Sequence, residues 1–555
     1  MTQDTETFLP VRHSALALWK NPIFLRYCRS RLRARGLGIV LLIAIIIASF
    51  IVAMAYTAGT RSGMQPSDAA RAAIIPLMIL QGIILFVLGT AQVSGGMTAE
   101  RDEGVIDYQR LIPMSPLSKV AGYLFGLPVR EYVAFISTLP FTAWALWTGG
   151  VSWEAWLPLY GVIFSSTLLY HFTGLLTGTV AKNRRWAFLA SIGLVFCLYT
   201  VIPQMAKFGL VFFKYLTIQP VLEESLPGIL PVTVGEVVAL GQKLVPTVKF
   251  FGLDFSETVF TLFSQGGLIL TFVVMLCRKW RKNESHLLGK IWASGFFIWI
   301  QTLLLGNALP LIEPGNLFPS RGFSRLVRLS PDWAPEPTEA VVMSGIYGFF
   351  TLILMFVLGA IITPAPESQL RGWRRARKYG KTRLPWAGDA STAFWAMLLM
   401  TVTGAGGWFI FTRALVESRW FPGHEVPMTV LGYFVAVLFV AGVGAQLLME
   451  WKGGRVVFLT AILLGVVPIM AGSVFAVVGG TMTPLAIWLM GLSPASLPFY
   501  APGSLLSLAE LPREAARALP RAFQFWLFVS CITALWLAVK LRASRKKMAA
   551  RMLEK

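Results

Sequence analysis

Residues 37–57 read LGIVLLIAIIIASFIVAMAYT, twenty-one residues without one charged side chain. A helix advances about 1.5 Å per residue and hydrocarbon is about 30 Å thick, so a run of about 20 apolar residues is a membrane span. Inside lipid the backbone amides find no water, and only a helix satisfies them within one segment. The run follows a basic stretch from Arg12 to Arg35, so the expectation is a retained first span rather than a cleavable signal peptide.

The same test, applied along all 555 residues, predicts spans at roughly 37–57, 72–96, 119–148, 156–180, 186–203, 256–277, 289–309, 339–362, 392–412, 427–448, 455–478 and 521–540. Composition agrees: hydrophobic residues make up 55% and charged residues 14% of the chain, and mean hydropathy is +0.65. The fold class is therefore all-α, a polytopic membrane protein with about twelve transmembrane helices in two six-helix halves, plus an N-terminal interfacial helix. The long loops set the halves: 204–255 and 479–520 each follow a fifth span and mix apolar stretches with prolines, as short re-entrant or interfacial helices do. This divides the chain into a tail with an interfacial helix (1–36), a first half (37–280) and a second half (281–555) that ends in a basic tail.

Lys and Arg resist translocation and collect on the cytoplasmic side. With both termini inside, the cytoplasmic segments and their borders hold 34 basic and 11 acidic residues, the outside ones 14 and 15; Arg130 and Glu131 complete the totals. The net charge of +22 is thus explained by topology and by contact of the inner face with an anionic lipid bilayer, and no nucleic-acid partner is required. Three basic clusters, Arg26–Arg35, Arg371–Arg383 and Lys540–Lys555, read as membrane anchors. In the first, Phe24, Leu25, Cys28 and Leu32 recur at helical spacing opposite Arg26, Arg29 and Arg33, the pattern of a helix in the membrane interface.

Chemistry is sparse. Four cysteines and four histidines are scattered without metal-ligand spacing, and no phosphate-binding Gly-x4-Gly-Lys-Ser/Thr, HExxH or GxSxG motif occurs. Span centres are nearly free of charge, which disfavours an ion-coupled carrier. The pair Arg130-Glu131 is expected at the inner interface, because Pro128 breaks the segment before it. His171, near the end of the fourth span, is expected to pack at the interface. Among outside residues, Glu223, Glu224, Arg321, Arg325, Arg328, Asp332, Arg419 and His424 show no spacing that implies a reaction.

The loop 98–119 differs from its neighbours by carrying both signs of charge. Glu100, Glu103, Gly104, Asp107 and Arg110 precede Pro113, Ser115 and Pro116. Gly104 and Pro113 bracket a short helical stretch, and Ser115-Pro116 starts another helix. This run, with Asn21-Pro22-Ile23-Phe24 ahead of the first span and the outside segment 204–255, resembles type-2 ABC transporter permeases over about residues 15–280. The resemblance implies a membrane subunit of an exporter with no bond-making catalysis and no cofactor of its own. It implies a separate ABC ATPase subunit as partner, which binds ATP and magnesium, and a location in the bacterial cytoplasmic (inner) membrane. Glu100, Glu103, Gly104, Asp107, Arg110, Pro113, Ser115 and Pro116 would form the ATPase-coupling loop, and Phe24, Leu25, Arg26, Arg29 and Arg33 the interfacial helix. Val105 stands where the family usually has Thr, and the second half carries the basic run Glu367–Lys378 in place of an acidic loop. Two arrangements follow: a fused pair of halves, or a chain that pairs with a second permease copy. A secondary carrier and a lipid-processing membrane enzyme are the competing functional classes.

Overall fold

A computed structural model describes residues 17–180, 184–232, 234, 248–318, 334–381, 384–479, 482–506, 508 and 511–553. Arg321, Arg325, Arg328, Asp332 and the tail before residue 17 lie outside the described residues. The protein is an all-α polytopic membrane protein. Among the described residues ten helices are long and apolar enough to cross a membrane.

In chain order the helices are α1 (Pro22–Arg31), α2 (Ala34–Arg61), α3 (Pro66–Asp102), α4 (Val105–Leu111), α5 (Pro116–Gly126), α6 (Val129–Thr148), α7 (Trp153–Val180), α8 (Arg184–Thr200), α9 (Gln219–Ile229) and α10 (Glu257–Arg281). There follow α11 (Lys290–Ile312), α12 (Pro337–Ile362), α13 (Pro366–Lys378), α14 (Phe394–Val416), α15 (Thr429–Lys452), α16 (Gly454–Val478), α17 (Thr483–Gly491), α18 (Leu497–Leu505) and α19 (Arg513–Leu553). A hairpin of β1 (Val248–Phe250) and β2 (Leu253–Phe255) precedes α10; its turn residues Phe251 and Gly252 both have positive φ, as a two-residue loop requires.

Two predicted spans differ from the ten. The stretch 119–148 is two helices, α5 and α6, parted at Leu127-Pro128, the break expected of Pro128, because proline has no N–H to continue the ladder. Arg130 and Glu131 fall in the first turn of α6, with Glu131 buried and paired to Arg130 at 2.9 Å. The stretch 186–203 is the 17-residue α8 followed by a 3₁₀ turn at Ile202–Phe208.

The chain divides into two compact units. The first comprises Met1–Gln204, Phe213–Val248 and Asp254–Glu284; the second comprises Met205–Phe212, Lys249–Leu253 and Ser285–Lys555. In the first unit α2 packs on α6, α3 on α6 and α7, and α7 on α10. In the second, α11 packs on α14, α12 on α14 and α15, and α15 on α19. Counting α6 and α8 in sequence with the ten as the third and fifth members of the first unit, so that each unit has six, the pairings 1·3, 2·3, 2·4 and 4·6 recur. The short helices outside the spans behave alike too: α9 lies against α7 and α10, and α18 against α12, α15 and α19.

Each unit buries polar side chains between spans, and each such group needs a partner because lipid supplies none. Gln81 on α3 donates to Thr138 (3.1 Å) and Thr142 (2.9 Å) and accepts from the Tyr160 hydroxyl (2.7 Å). Gln301 on α11 donates to Thr351 (3.1 Å) and accepts from Tyr347 (2.6 Å). His171 is wholly buried, contrary to the interfacial place expected for it. Its Nε2 donates to Leu85 O (3.0 Å), within the π-helical turn Ile83–Gly89 of α3. Its Nδ1 meets the Tyr132 hydroxyl at 2.8 Å. Only glycine fits at 89, since a Cβ there would lie 2.5 Å from His171 Nε2.

Candidate functional site

Helix α3 ends in Glu100-Arg101-Asp102. The Glu103 amide donates to Ala99 O and the Gly104 amide to Arg101 O, and Gly104 adopts φ +73°, a conformation glycine enters without steric cost. The two-turn helix α4 follows. Its Ile106 and Gln109 are buried against the protein, while Asp107, Tyr108 and Leu111 face outward; Tyr108 is 72% and Leu111 81% exposed. Asp107 and Arg110 form an i,i+3 ion pair, and Arg110 also reaches Asn283 Oδ1 at 3.2 Å.

Pro113 stops α4 and holds Ile112 extended, as the residue before a proline prefers. The Ser115 side chain then caps α5 by accepting from the Ser118 amide at 3.1 Å, with Pro116 in the first helical turn. The Lys119 ammonium, buried at the start of α5, donates to Arg110 O at 3.2 Å and ties the end of α4 to the next helix. Glu103, Gly104, Pro113 and Ser115 are exposed and shape the loop without gathering at one point.

Glu100 is the node beneath this projection. Its carboxylate accepts from the Tyr123 hydroxyl (2.5 Å), from the Tyr27 hydroxyl and from the Arg26 guanidinium. Burial and the neighbouring carboxylate push the Tyr27 hydroxyl up from its ordinary pKa, so it stays protonated and donates. Tyr123 stacks on Trp280 with ring centroids 5.2 Å apart, inside an apolar cluster that includes Ile23, Val93, Met97, Ile106, Met114 and Leu276. Arg101 continues the anchoring by donating to Gly178 O and Thr179 O near the end of α7, both at 3.4 Å.

Helix α1 docks on α5. The Asn21 Oδ1 caps α1 by accepting from the Ile23 (3.0 Å) and Phe24 (3.3 Å) amides, and its amide nitrogen donates to Ser118 O at 2.7 Å. Gly122 and Gly126, one turn apart on α5, allow the approach: a Cβ at Gly122 would meet Asn21 Oδ1 at 2.7 Å, and one at Gly126 would meet Tyr27 Cδ2 at 2.8 Å. The buried stripe of α1 is therefore Ile23 and Tyr27, which replaces the face expected from Phe24, Leu25, Cys28 and Leu32. Phe24 is half-buried; Leu25, Arg26 and Arg29 are exposed, and Arg33 lies past the helix end at the cap of α2.

The structure thus joins Glu100 to Arg26, one residue from each of two stretches read separately in the sequence. Tyr27, Gly122 and Tyr123 are the members that sequence reasoning missed, while Asn21 and Lys119 stood inside the stretches it singled out without a contact assigned to them. The Gly-x3-Gly spacing of Gly122 and Gly126 was the available signal for a close helix contact. Among the described residues no group of three or more His, Cys, Asp or Glu is placed to hold a metal ion. No protein-family model, curated protein or solved structure matches the chain. What the arrangement offers is mechanical: a tip that is acidic and apolar, on a base tied to α1, α5 and α7.

Proposed function

We propose that this chain is the membrane permease subunit of an ATP-driven exporter, working with a separate ABC ATPase that binds ATP and magnesium. The observation that carries the reading is the tip of α4. Tyr108 and Leu111 project beside Asp107 from a short helix whose underside and both ends are held. Large apolar side chains exposed outside the spans are covered most readily by a partner protein, and tyrosine is among the residues that most often carry the energy of such a contact.

In this reading the α4 face lies in the cytoplasm, as do both termini, and the protein resides in the bacterial inner membrane. Closure of the ATPase on ATP pushes α4. Lys119 and the Ser115 cap pass the movement to α5, Glu100 passes it to α1, and α3, the span that bears the π-helical turn, carries it into the membrane. No bond-making step is assigned to this chain. The repeated span pairing of the two units supports a fused pair of permease halves rather than a requirement for a second copy.

The test is gentle solubilisation from native membranes followed by mass spectrometry of co-purifying chains, for wild type and for Tyr108→Ala/Leu111→Ala. An ATPase with a Gly-x4-Gly-Lys-Ser/Thr motif, recovered with wild type and depleted with the variant, supports the proposal. Absence of any such chain from repeated, crosslinked preparations refutes it and favours an ion-driven carrier, to be followed by uptake assays in liposomes.

A further inference from the structure

The connection between the second and third spans of the second unit occupies the place in the chain order that α4 occupies in the first, yet its chemistry is opposite. Over residues 366–381 there are six basic side chains, Arg371, Arg374, Arg375, Arg377, Lys378 and Lys381, against the single carboxylate of Glu367. The stretch folds as α13 with a following turn. One side holds it to the protein, where Ala376 is buried and Gly372 lies against Ala390, and the Lys381 amide closes the following turn on Ala376 O at 2.9 Å. The other side exposes Arg374, Arg375, Arg377 and Lys378 together with Trp373 and Tyr379, and Trp386 is exposed just beyond.

Two further observations place this face. Helix α13 starts four residues after the apolar span α12 ends at Ile362, and its Gly372 lies against Ala390, four residues before Phe394 opens the next span, so the helix is held near the membrane boundary. The end of α19 adds to the same basic surface: Arg545 pairs with the buried Glu450 and reaches Gln369 Oε1 on α13 at 3.5 Å, and Arg542, Lys546 and Lys547 are exposed.

We propose that α13 is an anionic-lipid-binding helix, lying along the bilayer surface with its arginines and lysines on lipid phosphates and with Trp373, Tyr379 and Trp386 at headgroup depth. Charge complementarity selects the occupant, since each Lys or Arg near an anionic membrane strengthens attachment about fivefold. Exposed Trp and Tyr beside a span are matched to the interface, where one end of the ring is apolar and the other wet. The first unit's α4, with Asp107 facing outward, has no such match. The proposal is independent of whether an ATPase binds.

The test uses the full chain in nanodiscs of phosphatidylcholine alone or of an equimolar mixture with phosphatidylglycerol, read by hydrogen exchange of residues 366–381. The expected result is exchange at least about tenfold slower with the anionic lipid. The slowing should be lost at about 1 M salt, where the Debye length falls to about 3 Å. In Arg374→Gln/Arg375→Gln/Arg377→Gln/Lys378→Gln the lipid dependence should vanish while α12 and α14 exchange as in wild type, which shows that the variant is folded. Equal exchange of the wild type in the two lipids would overturn the proposal, as would a lipid dependence that survives salt. Protection by soluble polyglutamate but not by phosphatidylglycerol would overturn it too, and would assign the face to an acidic protein instead.

Discussion

Replacing Glu100 by alanine should release α1 from the rest of the first unit. The substitution orphans the hydroxyls of Tyr27 and Tyr123, which are 6% and 0% exposed, and each buried donor left without a partner costs about 1–3 kcal/mol. The ion pair with Arg26 adds about 0.2–1 kcal/mol, because that guanidinium is 41% exposed and screened by water. Against these stands the relief of no longer burying a carboxylate that is only 13% exposed. The net expectation is about 2–4 kcal/mol, or roughly one and a half to three powers of ten in the opening of α1, at about 1.4 kcal/mol per tenfold. Hydrogen exchange of residues 22–31 in detergent or nanodiscs measures that opening directly. Tyr27→Phe and Tyr123→Phe, added to Glu100→Ala, remove the orphaned donors while keeping both rings, so the triple variant should exchange more slowly than the single one. Exchange in Glu100→Ala within about threefold of wild type, or a triple variant opening as fast as the single, would refute the assignment of Glu100 as the node.

Gly126→Ala should destabilise the α1–α5 contact by about 1–3 kcal/mol, because its Cβ would lie 2.8 Å from the Tyr27 ring; a thermal-shift measurement showing no loss would contradict that packing. Gly104→Ala should weaken the loop by about 1 kcal/mol, since φ +73° strains any residue with a Cβ, and faster exchange confined to residues 103–112 is the expected readout. Gly89→Ala should expel His171 from the π-helical turn and leave Leu85 O without its donor, and proteolysis of the first unit should accelerate. Tyr108→Ala/Leu111→Ala, in contrast, should change thermal stability by less than about 0.5 kcal/mol, because both side chains are mostly in solvent.

Much of the fold was legible because lipid imposes a simple rule. Apolar runs of about 20 residues have one low-energy backbone, so composition and length alone assigned the membrane class and the place of most spans. The boundaries of α4 were legible for a local reason: Gly104, Pro113 and the Ser115-Pro116 pair act on their own dihedrals and caps, whatever surrounds them. Pro128 marks the break between α5 and α6 in the same local way, and its missing N–H is why two helices stand where one span was predicted.

The remaining assignments depend on contacts between residues far apart in the chain. Glu100 stands with Asp102, Glu103 and Asp107 in one acidic loop, with nothing local to single it out. Its role arises because α1, 73 residues earlier at Tyr27, and α5 converge on it. The buried face of α1 is Ile23 and Tyr27 because Gly122 and Gly126 leave room there, a property of the partner helix rather than of α1's own periodicity. His171 is likewise indistinguishable in sequence from an interfacial histidine until the π-helical turn of α3 presents Leu85 O to it. Hydrophobicity and backbone geometry act over a few neighbouring residues, and so the helical membrane class, the spans and the short loop helix could all be read from the order of the amino acids. Which polar groups meet could not, because a hydrogen bond is worth its free energy only when packing brings two distant helices within about 3 Å of each other.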